Sequence, residues 1–133
     1  MARFYSVQSA ADVARLAAGG EPWPTGLQRA NLGSGFYAWD AADVADTYLR
    51  RLETRGVTGL VVTGWEVDDD ALMAFKTLDL TRLPDEDVDA WLATYSHYGD
   101  ARPHDFEVVV RLTNVGTEYF FAPPAFRLLR MLP

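Results

Sequence analysis

Two groups of side chains in this sequence could do chemistry together. The first is Leu32-Gly33-Ser34-Gly35-Phe36-Tyr37-Ala38-Trp39, followed by a segment that carries a second tyrosine, Tyr48. Glycines permit close backbone approach. Aromatic faces with hydroxyls suit a flat ligand that must be stacked and oriented. The second is Glu118, in Gly116-Thr117-Glu118-Tyr119-Phe120-Phe121-Ala122, at the mouth of a strand just after a turn. An acid beside aromatics there is either the exposed end of an edge strand or a working carboxylate. The latter could stabilise positive charge or take a proton.

Other chemistries lack their residues. The chain has no cysteine, so it has no thiol nucleophile, disulfide framework or thiolate zinc site. His97 and His104 are the imidazoles, too few for a histidine-rich metal site, and no metal is expected. Ser6, Ser9, Ser34 and Ser96 lack a Gly-x-Ser-x-Gly context. The single lysine, Lys76, follows no phosphate loop. Asp68-Asp69-Asp70 is contiguous, without calcium-loop spacing, and reads as a solvated turn. A formal charge of -7 disfavours non-specific nucleic-acid binding. Arg50, Arg51 and Arg55 read as cations set against a helix dipole.

The elements that must position these groups follow from pattern. Arg3 to Gln8 reads as a strand, and Ser9 as the N-cap of a helix from Ala10 to Ala18 that Gly19-Gly20 ends. Glu21 to Leu32 reads as an ordered loop tacked down by Trp23 and Leu27. Phe36 to Trp39 is a strand. Asp40 is expected to cap a helix reaching Arg55, with Val44, Tyr48 and Leu52 on one face and Gly56 as its stop. Val57 to Val67 and Leu72 to Leu80 read as strands, and Pro84 opens a helix ending near Gly99. Phe106 to Leu112 and Glu118 to Ala122 are strands around a turn at Asn114 to Thr117, and Ala125 to Leu132 is a closing apolar segment. The sum is one α+β domain over residues 1–133, mostly antiparallel, with about three helices.

With these residues in view, Leu32 to Tyr48 resembles the middle motif of the ADP-ribosyltransferase superfamily, in poly-ADP-ribose polymerases and small bacterial toxin-like domains alike. There a Gly-x-Tyr strand precedes a helix with a second tyrosine. Gly116 to Leu129 resembles that superfamily's third motif, in which a Glu-Tyr pair opens a strand. The Trp91-Leu92 helix followed by Asp105 to Val110 resembles a segment of its small bacterial members. The resemblance implies a split, mostly antiparallel β core with NAD in a cleft between two sheets. NAD is then a substrate and no metal is needed. Gly35 and Phe36 would border the nicotinamide, Tyr37 and Tyr48 would stack on it, and Glu118 would be the catalytic glutamate. In the first motif the superfamily has a histidine or arginine beside an aromatic. Here Tyr5 is the aromatic and Ser6 takes the expected position, so Arg3 or Arg29 would supply the cation, or NAD binding is altered. Gly116 stands where arginine-modifying relatives carry an acid or glutamine. That leaves the acceptor open: another side chain, a nucleic-acid base, a small molecule or water.

The expected activity is therefore transfer of ADP-ribose from NAD, of the toxin or effector kind. Two alternatives remain. One is a degenerate nucleotide- or protein-binding module. The other is an immunity or antitoxin-like partner, and a toxin would itself have such a cognate inhibitor. Met1 to Ser6 lacks the basic and apolar segments of a signal peptide, and no apolar run has membrane-span length. The expected location is the cytoplasm, or a target cell reached through a secretion machine, with no membrane partner.

Overall fold

The computed structural model describes residues 1–18, 35–95 and 105–133. Arg29, the Gly33-Ser34 pair, the Gly19-Gly20 helix stop, Trp23, Leu27, His97, Gly99 and His104 lie outside the described residues. The chain runs β1 (Ala2–Ser9), α1 (Ala10–Ala17), β2 (Phe36–Trp39), α2 (Ala42–Thr54), β3 (Leu60–Val67), α3 (Asp69–Met73) and β4 (Thr77–Asp79). After a 3-10 turn at Leu80–Arg82 come α4 (Asp85–Tyr95), β5 (Val108–Leu112) and β6 (Thr117–Phe121). A second 3-10 segment, Pro123–Leu128, leads into β7 (Arg130–Met131). This is an α+β arrangement around a seven-stranded sheet of order β4-β5-β6-β2-β1-β3-β7. The β4–β5 pair is parallel and the others are antiparallel.

The sheet is nearly divided. β1 follows β3 along its whole length, from Ala2↔Val67 to Ser9↔Leu60. β2 follows β6 from Phe36↔Phe121 to Trp39↔Glu118. Between β1 and β2 one pair is in register, Tyr5↔Trp39. The strands thus fall into two sets, β4-β5-β6-β2 and β1-β3-β7, joined at that pair.

Side chains alternate across a strand, so each set has two faces. One face carries Phe4, Phe36, Ala38, Trp65, Val67, Val108, Val110 and Phe121, and packs with Ala125, Phe126 and Leu129 and against Leu72 and Phe75. The second face carries Val109 and Phe120 under Leu80 and under Val88, Trp91 and Leu92 of α4. α2 packs over β1, β2 and β3. Full burial of a ring such as Phe120 or Phe121 contributes about 1.5–3 kcal/mol.

Local structure departs from pattern at three places. Asp68 to Asp70 is exposed, as expected, but opens a helix instead of a turn: Asp68 caps α3, its Oδ1 accepting the Ala71 N–H at 3.1 Å. That helix and the 3-10 turn at Leu80 consume most of the expected strand from Leu72, leaving Thr77–Asp79. Asp40 does not cap α2. The cap position is Ala41, with no side-chain bond, and Asp43 Oδ1 instead accepts the Val44 N–H at 3.0 Å. Ser9 does cap α1, accepting the Asp12 N–H at 3.1 Å. Gly56 (φ 89°) and Gly59 (φ 77°) take left-handed conformations, so β3 begins at Leu60 and not at Val57.

Candidate functional site

The tip of the β5–β6 hairpin fixes the centre of the site. Thr113 donates its N–H to the Gly116 carbonyl at 2.9 Å, and its hydroxyl accepts the N–H groups of Val115 and Gly116, both at 3.2 Å. Closing the hairpin at Thr113 and Gly116 sets Leu112 opposite Thr117 and Arg111 opposite Glu118. Glu118 is in turn opposite Trp39, and Trp39 opposite Tyr5. Opposed residues share a face, so Arg111, Glu118, Trp39 and Tyr5 form one row across four strands. At strand spacing, Glu118 and Tyr5 stand roughly 10 Å apart with Trp39 between them.

Glu118 is therefore not at an edge. It lies in an interior strand, 9 % exposed. Arg111 Nε donates to its Oε1 at 2.8 Å, and both side chains are largely buried. Such a pair is strongly destabilised when one partner is removed, by about 3–5 kcal/mol, because a charge is left uncompensated. Arg111 is the residue that pattern reading missed. Opposite charges placed symmetrically about a short hairpin were the available signal.

The tyrosines reach the same face but rest on partners there. Tyr37 leans on Phe120, ring centroids 5.2 Å apart at 60°. Tyr48, from α2, leans on Trp39 at 5.3 Å and 52°. Tyr5 lies over Gly64, its Cε1 3.5 Å from where a Cβ would stand. Arg3 is exposed, two residues from Tyr5 on that face and opposite Glu66. α2 is seated against the hairpin at Gly116, where a Cβ would come within 2.6 Å of Val44 Cγ1.

Two of the expected residues face the other way. Ser6 is buried on the opposite face; its Oγ accepts Trp65 Nε1 at 2.9 Å and donates to Gln8 Oε1 at 2.7 Å. Phe36 is core on that face, against Trp65 and Phe121. Alternation along β1 and β2 dictates both results, since Ser6 follows Tyr5 and Phe36 precedes Tyr37. Gly35 is required by packing: a Cβ there would come within 2.3 Å of Phe120 Cε1 and 2.6 Å of the Phe121 carbonyl. Tyr119, beside Glu118 but on the opposite face, is half-buried. Burial raises its phenol above the ordinary 10.0, and the charges of Asp40 and Asp79 push the same way.

No family model matches the chain, and no curated protein or solved structure is significantly similar to it. Among the described residues, no helix is long and apolar enough to cross a membrane.

Proposed function

We propose that this chain is an ADP-ribosyltransferase-like domain that binds NAD against the face carrying Tyr5, Tyr37, Trp39 and Glu118. The observation that carries the reading is the row Glu118–Trp39–Tyr5, which brings three sequence motifs, far apart in the chain, onto one face. The near-division of the sheet between β1 and β2 supports the split core that the motifs imply. In this reading Glu118 is the catalytic residue. Cleavage of the nicotinamide–ribose bond develops oxocarbenium character, and a carboxylate held in a mostly buried site stabilises that charge. Nicotinamide leaves without protonation, so one acid suffices. The acceptor is a macromolecule, a small molecule or water, and an effector or toxin role with a cognate inhibitor belongs to the same reading.

A second reading, a nucleotide-binding module without turnover, is favoured by one observation. The Arg111 guanidinium already bonds the carboxylate at 2.8 Å and offsets part of its charge. The test is a titration with NAD, following nicotinamide release in cell extract. Turnover by the wild type, falling about a hundredfold in Glu118→Gln with NAD affinity kept, supports the enzyme. The glutamine still offers an oxygen to Arg111 but leaves its charge uncompensated, so thermal unfolding of the variant is measured beside its turnover. Saturable binding without release supports the module. No binding leaves a partner-protein role, such as an immunity protein.

A further inference from the structure

The Arg111–Glu118 pair can be read as an obstacle to catalysis or as part of it, and its geometry favours the second. The contact runs through one nitrogen and one oxygen, Nε to Oε1. Among the described residues nothing else donates to the carboxylate. A glutamate alone has three freely rotating bonds. Anchored at Oε1, with its strand fixed between β5 and β2, its rotation is restricted, and Oε2 is the oxygen left to act.

We propose that Arg111 is a positioning residue: it holds Glu118 by Oε1 so that Oε2 faces the ribose during cleavage. This rests on the NAD-cleaving reading above. It differs from a structural ion pair in a measurable way, because a residue that acts through another loses its effect when the other is gone.

The experiment is a cycle of Arg111→Gln and Glu118→Gln with NAD, reading kcat and KM for nicotinamide release, together with Arg111→Lys. Arg111→Gln is expected to lower kcat about tenfold to a hundredfold with little change in KM. Arg111→Lys should recover part of the loss, since it keeps the charge but not the planar donor. Adding Arg111→Gln to Glu118→Gln should change the residual rate by less than about twofold. If Arg111→Gln fails to fold, the double variant, which leaves no charge unpaired, and Arg111→Lys carry the comparison. Wild-type kcat in the Arg111 variants overturns the inference and leaves the enzyme reading intact. So does a full further loss in the Glu118→Gln background. A wild type that releases no nicotinamide overturns the enzyme reading, and the inference with it.

Discussion

Tyr119 shows how much a single position in β6 decides. It is flanked by Glu118 and Phe120, which turn to one face, while its own ring turns to the other beside Phe4 and Phe121, with centroids 4.6 Å and 6.4 Å away. There burial, aided by Asp40 and Asp79, favours the neutral phenol. The sign of the consequence is fixed by linkage. Above the ordinary value of 10.0 the unfolded chain releases this proton while the folded chain keeps it, so the unfolded state gains. The Tyr119 contribution should be level below that value and fall as pH rises through it toward the raised folded value. Denaturant unfolding of wild type and Tyr119→Phe between about pH 9 and 11 checks this. The phenylalanine variant should lose less stability over that span. An equal loss would mean that other groups govern the alkaline limb.

At the scale of elements, the contact between α2 and the hairpin is the one most open to test. Gly116→Ala should cost about 1–3 kcal/mol, since its Cβ would stand within 2.6 Å of Val44 Cγ1. Val44→Ala alone should also destabilise, but the pair together should cost less than the sum. Urea unfolding of the four proteins measures the coupling. Much of this architecture was legible. Phe36–Trp39 was readable to the residue because a short aromatic run and flanking turn signals agreed. Ser9 was readable as a cap because its side chain acts locally. Asp68 was not, because a run of acids looks solvated whether or not its first member caps a short helix. Of the site, the meeting of Tyr37 and Glu118 on one face was expected from the resemblance of their motifs and not from the pattern of either strand. Their aromatic supports, Phe120 and Trp39, and the Arg111 partner depended on cross-strand register, which one strand's sequence does not contain.

Considered whole, the molecule is two strand sets that meet at Tyr5↔Trp39, with α2 laid over β1, β2 and β3 across the junction. Backbone pairing along that line is one registered pair, bridged by the helix and by core contacts such as Phe4–Tyr119 and Phe36–Trp65, whereas β1–β3 and β2–β6 are paired along their lengths. A protein so constructed should not open all at once. Native-state hydrogen exchange in low denaturant should resolve two cooperative groups of amides, one in β5, β6 and β2 and another in β1 and β3, with different opening free energies. A single shared opening energy would show that the helix and the shared core bind both sets into one unit. The same seam gives any molecule bound across it a reach beyond its own contacts. By holding the two sets together it would slow exchange in strands it never touches, and protection would spread outward from the junction as it bound.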